Sequence, residues 1–120
     1  MTLDIDDVIG RIHLALREAT GADLPLLSRC GEAKARAVAH YADLIAGAYA
    51  AGALDDAEMA REIAEIEHMT RRMARTLKGL AGTTTERASR AAVSVVLGAM
   101  RASLSFAGSP LPARLTACAA

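Results

Sequence analysis

The chain has no Asn, no Gln and no Trp, and only two Tyr and one Phe among 120 residues. Each absence excludes something. A β-sandwich or barrel draws on aromatic and β-branched side chains and on frequent Asn, Gly and Pro turns. With aromatics at 2% and three Pro, this composition suits neither. Without Asn or Gln no side-chain amide can read adenine, and there is almost no ring on which a base could stack. Cys30 and Cys118 are too few and too far apart for a disulfide framework, which fits a reducing cytosol. The longest apolar run, near Ala91–Met100, is bounded by Arg90 and Arg101. It is too short to cross ~30 Å of hydrocarbon as a helix, so no integral membrane segment is expected. The first residues, Met-Thr-Leu-Asp-Ile-Asp-Asp, lack the basic and apolar regions of a signal peptide. The expected location is cytoplasmic.

Alanine is what the chain has in abundance, with 28 residues inside a hydrophobic share of 52%. Alanine gives up no side-chain entropy in a helix and buries no polar group, so such a chain is helical. The expected fold class is all-α: a small antiparallel four-helix bundle or helical-hairpin assembly, completed by homo-oligomerisation. Residues 1–107 form one domain in this reading and 108–120 a short tail.

Periodicity places the helices. Ile5, Ile9, Ile12, Leu16 and Ala19 form one stripe, acidic residues open it and Gly21 closes it, giving a helix over 4–20. Asp23 and Pro25 start a second, over 25–51, with the stripe Leu27, Cys30, Val38, Tyr41, Ile45, Ala48 and Tyr49, ended by Gly52. Asp55 and Glu58 have capping-box spacing and open a third, over 55–81. Its seam of Met59, Ile63, Ile66, Thr70, Met73, Leu77 and Leu80 is the clearest pattern in the chain. Gly79, Gly82 and three Thr break it, Thr83 with Glu86 suggests another capping box, and a fourth helix runs over 84–106. Val93, Val96, Leu97, Met100 and Leu104 form its stripe, and Pro110 and Pro112 forbid continuation.

The net charge of zero hides a division. Residues 1–68 carry a net −7 and residues 69–120 a net +7. With no overall charge, complementarity between the halves is favoured over a binding surface for polyanions. Arg71, Arg72, Arg75 and Lys78 still make a basic patch that could hold phosphate. The plainer reading is complementarity with the helix dipole, since the same helix begins with acids. Nucleic acid is therefore a disfavoured partner.

Glu65 and His68 form Glu-x-x-His, the pair that ferritin-like bundles use at i and i+3 to ligate iron. It occurs once and lies off the seam, so it is only a candidate metal site, and no cofactor is expected. Ser94, Gly98 and Ala102 are small residues at four-residue spacing, which ordinary close packing explains. No nucleophile elbow, phosphate loop or zinc spacing points to an enzyme.

The reading that results is a non-enzymatic helical interaction protein, a homo-oligomeric adaptor or structural subunit. Its composition is of the kind associated with phage-derived or mobile-element gene clusters in bacteria. The expected self-association interface is Met59, Ile63, Ile66, Met73, Leu77, Leu80, Val93, Leu97 and Met100, an apolar seam longer than a soluble monomer usually leaves bare. Alternatives are a metal-binding bundle through Glu65 and His68, a nucleic-acid-binding module using Arg71–Lys78, and a membrane-peripheral accessory protein.

Overall fold

The computed structural model describes residues 3–21, 29–75, 82–106 and 108. Among the described residues are four helices: α1 (Ile5–Thr20), α2 (Arg29–Ala50), α3 (Asp56–Arg75) and α4 (Gly82–Phe106). No strand occurs among the described residues. The expected opening of the second helix at Asp23–Pro25, the last turn of the third (76–81) and nearly all of the tail lie outside them.

Local chemistry sets the helix ends. Asp4 caps α1, its carboxylate accepting from the Asp7 N–H at 3.1 Å. Gly21 closes α1 in the left-handed region (φ 68°), its N–H donating to the Arg17 carbonyl at 2.8 Å. Gly52 (φ 78°) ends α2. Its N–H reaches the Tyr49 carbonyl at 3.1 Å and the Ala53 N–H reaches Ala48 at 2.9 Å, a Schellman arrangement. The capping box of α3 is formed: Glu58 N–H donates to Asp55 Oδ1 at 2.7 Å, and Asp55 N–H to Glu58 Oε1 at 3.0 Å. The second expected box is not what opens α4. This helix already runs from Gly82, and the Glu86 carboxylate points to Arg71, 3.8 Å away. That contact also excludes one continuous helix, in which residues 71 and 86 would stand ~22 Å apart.

Contacts across the helices give the topology. Leu3 N–H donates to Asp43 at 2.8 Å and Arg36 reaches Asp6 at 3.3 Å, so α1 and α2 run antiparallel. Tyr49 with Asp56 and Tyr41 with Glu62 do the same for α2 and α3, and Arg71 with Glu86 for α3 and α4. Helix α1 also packs on α4, which closes the bundle.

The core is made by all four helices. Helix α1 contributes Val8, Ile9, Ile12 and Leu16, α3 contributes Met59, Ile63, Ile66 and Met73, and α4 contributes Val93, Val96, Leu97, Met100 and Leu104. The expectation for α2 needs correction. Its buried side is Ala35, Val38, Ala39, Ala42, Ile45 and Ala46, while Tyr41 and Tyr49 sit half-buried at its edge. The larger residues had suggested a stripe turned part-way round the helix. Alanine takes the inward positions because short side chains let helix axes approach closely.

The seam of α3 also lies elsewhere than expected. Met59, Ile66, Met73 and Met100 are fully buried, and Ile63, Val93 and Leu97 are at most 5% exposed, all within a single chain. The neighbouring helices cover these residues, so the premise that a second copy must cover them fails. Leu77 and Leu80 lie outside the described residues. Thr70, the polar member of the seam, is fully buried and donates its hydroxyl to the Ile66 carbonyl at 2.7 Å.

These positions predict a graded response in urea denaturation. Ile66→Ala should cost about 2–5 kcal/mol, through lost burial and the cavity left behind. Thr70→Val should stay within about 1 kcal/mol, because the lost hydroxyl bond is local and the carbonyl keeps its helical partner. Gly98→Ala should stabilise by about 0.5–1 kcal/mol from helix propensity, since a Cβ there meets nothing within 4 Å.

Candidate functional site

The side chains with chemical potential gather where α2 faces α3. The antiparallel hairpin places the second half of α2 beside the acidic start of α3, and two tyrosines bridge them. The Tyr49 hydroxyl donates to Asp56 Oδ1 at 2.7 Å, and the Tyr41 hydroxyl donates to Glu62. A half-buried phenol needs an acceptor, and a carboxylate across the helix pair is a strong one. Tyr41 is pushed up to about 12, first by its hydrogen bond to Glu62, then by burial and by the negative charges of Glu62 and Glu65.

Further along the same pair the charge changes sign. Lys34 on α2 and Arg72 on α3 flank an open recess of about 260 Å³ whose apolar wall is Ala37, Val38 and Met69. Arg72 also reaches Glu65 at 3.6 Å, and this exposed pair contributes little to stability. Two turns from the recess, Leu44 stands 67% exposed on α2, the most exposed large hydrophobic residue described. Helix α3 therefore has an acidic first turn (Asp56 and Glu58, after the cap Asp55) and a basic last turn (Arg72 and Arg75), with Lys34 of α2 near Arg72, while the exposed Arg61 lies between Glu58 and Glu62 on the same stripe as Arg72 and Arg75.

The residues singled out from sequence fall into three groups. The apolar seam is core, as described above. Glu65 and His68 share one side of α3, but Glu65 is engaged by Arg72 and His68 is exposed. Among the described residues no three His, Cys, Asp or Glu side chains come together as a metal would require. In the basic patch, Arg71 pairs with Glu86 and Arg72 with Glu65, while Arg75 is exposed at the end of α3. Lys78 lies outside the described residues. Ser94 and Gly98 help to line a shallow recess of about 480 Å³ between α1 and α4, beside Arg11. Among the described residues no helix is long and apolar enough to cross a membrane.

Sequence reasoning missed the two tyrosine–carboxylate bridges and Leu44. A signal existed for each. A tyrosine on a helical stripe needs a polar partner, and the next helix opens with carboxylates. Leu44 stands outside the α2 stripe altogether, which predicts exposure.

Comparison of the chain with protein families, with curated proteins and with solved structures finds no match.

The Tyr41–Glu62 bridge makes an alkaline prediction. A phenol whose folded pKa lies above its unfolded value of 10 stabilises the fold fully below pH 10. That contribution is lost as pH rises from 10 through about 12. Glu62→Gln should return Tyr41 toward the ordinary value, read as an earlier tyrosinate absorbance in a spectrophotometric titration.

Proposed function

We propose that this protein is a non-enzymatic helical interaction module that works as a homo-oligomeric structural subunit or adaptor. The observation that carries the reading is the charge order along α3, acidic at its start (Asp55, Asp56, Glu58) and basic at its end (Arg72, Arg75) with Lys34 of α2 near Arg72, interrupted by the exposed Arg61. A face divided in this way complements a second face of the same kind laid against it in the opposite direction. Charge complementarity of that sort guides encounter and fixes orientation. Leu44, 67% exposed on α2, supplies the apolar contact that charge alone does not.

The rival readings draw less support from the same residues. A metal at Glu65 would compete with Arg72 for the carboxylate. A polyanion at the Arg71–Arg75 cluster would compete with Glu86 and Glu65. An interfacial membrane role would need a continuous apolar face, and the outward side of α4 is interrupted by Arg87, Arg90 and Arg101.

Light scattering or sedimentation equilibrium tests the reading. The expected result is a mass above that of one chain at micromolar concentration, with weaker association when salt is raised from ~0.1 M to ~1 M. The screening length falls over that range from about 10 Å to about 3 Å. A single-chain mass at high micromolar concentration and low salt would sink the proposal.

A further inference from the structure

The outward side of α2 carries Ala33, Ala37, His40, Leu44, Gly47 and Ala51, spaced 4, 3, 4, 3 and 4 residues apart. Five of the six are exposed and Gly47 is half-buried. None carries a permanent charge, and a Cβ built on Gly47 meets nothing within 4 Å. This side of the helix lies opposite the Ala35, Ala39, Ala42 and Ala46 line that enters the core.

Two features of different shape lie on this side. Leu44 is a protrusion, 67% exposed. The recess between α2 and α3 is a hollow, with Ala37, Val38 and Met69 as its apolar wall and Lys34 and Arg72 at its rim. Ala37 precedes Leu44 by two helical turns, about 10 Å along the axis, so protrusion and hollow share one strip of the helix.

We infer that α2 docks against α2 of a second copy about a two-fold axis passing between His40 and Tyr41, with Leu44 of each chain seated in the Ala37–Val38–Met69 recess of the other. Three observations converge on this register. A two-fold interface must be complementary to itself, and a protrusion and a hollow on one face satisfy that requirement reciprocally. The axis that brings level 44 to level 37 lies midway between them, at His40–Tyr41. The same rotation lays the acidic start of α3 (Asp55, Asp56 and Glu58, followed by Arg61) beside the end of the partner copy that carries Lys34, Arg75 and the Arg72–Glu65 pair. Reversing the direction of pairing would set like charges together. Gly47 and the alanines keep the two α2 axes free to approach closely.

This inference rests on the homo-oligomeric reading above and adds its surface and register. The test uses the full chain and three variants, each followed by sedimentation equilibrium and far-ultraviolet circular dichroism. Leu44→Glu removes the protrusion and places a charge in the hollow. Ala37→Arg fills the hollow. Leu14→Glu alters the other exposed leucine, on α1, 54% exposed and away from the proposed contact. The expected result is a dimer for the wild-type chain and for Leu14→Glu. Leu44→Glu and Ala37→Arg should each fall to the mass of one chain with the helical signal retained, corresponding to at least a tenfold weaker Kd. If Leu44→Glu loses its helical signal, Ala37→Arg decides. Folded Leu44→Glu and Ala37→Arg proteins that stay dimeric would overturn this surface and leave the homo-oligomeric reading standing, and dissociation of only one of two folded variants would overturn the reciprocal register. A monomeric wild-type chain would overturn both readings.

Discussion

The structure depends on enclosing one apolar row. Met59, Ile63, Ile66, Thr70 and Met73 run the length of α3, and a chain with so few rings has little bulk with which to cover them. It covers them by proximity. Ala35, Ala39, Ala42 and Ala46 on α2, with Ala88 and Ala92 on α4, present short side chains inward. The larger residues of α1, α3 and α4 fill the space between. Alanine thus serves twice, as the strongest helix former and as the residue that lets helix axes close in.

Antiparallel order then decides where the charges go. Helix α3 begins acidic and ends basic, which suits its own dipole. Folding α2 back on it sets Lys34 beside the basic end and Asp43 nearer the acidic end. Folding α4 back brings Glu86 to Arg71. Arg71–Glu86 joins α3 to α4 within the basic half of the sequence, and Arg72–Glu65 joins that half to the acidic one, so the halves do not simply neutralise each other. Along α3 the acidic start and basic end remain apart, with Arg61 and the Arg72–Glu65 pair as the exceptions.

The same geometry restricts what the polar side chains can do. Glu62 accepts from Tyr41, Asp56 from Tyr49, and Glu65 faces Arg72. A carboxylate that satisfies a half-buried hydroxyl or pairs with a guanidinium is less able to ligate a metal, because the first partner must be displaced. Surface shape and charge are what the α2–α3 face has left to offer a partner, and the proposals above are built on them.

The sequence by itself determined the four helices, the opening caps of α1 and α3, the glycine ends of α1 and α2, and the buried rows of α1, α3 and α4, since these depend on spacing within one helix and on side chains a few residues apart. The Asp55–Glu58 box and the Gly21 and Gly52 ends are local in this sense. Only the tertiary structure decided which side of α2 is buried, because an alanine helix has no strong apolar contrast and the inward side is chosen by the bulk of its neighbours. It also decided that the α3 seam is covered within one chain. That outcome depends on whether three other helices can reach the seam, and no periodicity within α3 contains that information. The Tyr41–Glu62 and Tyr49–Asp56 bridges and the recess between α2 and α3 depend on the same long-range choice.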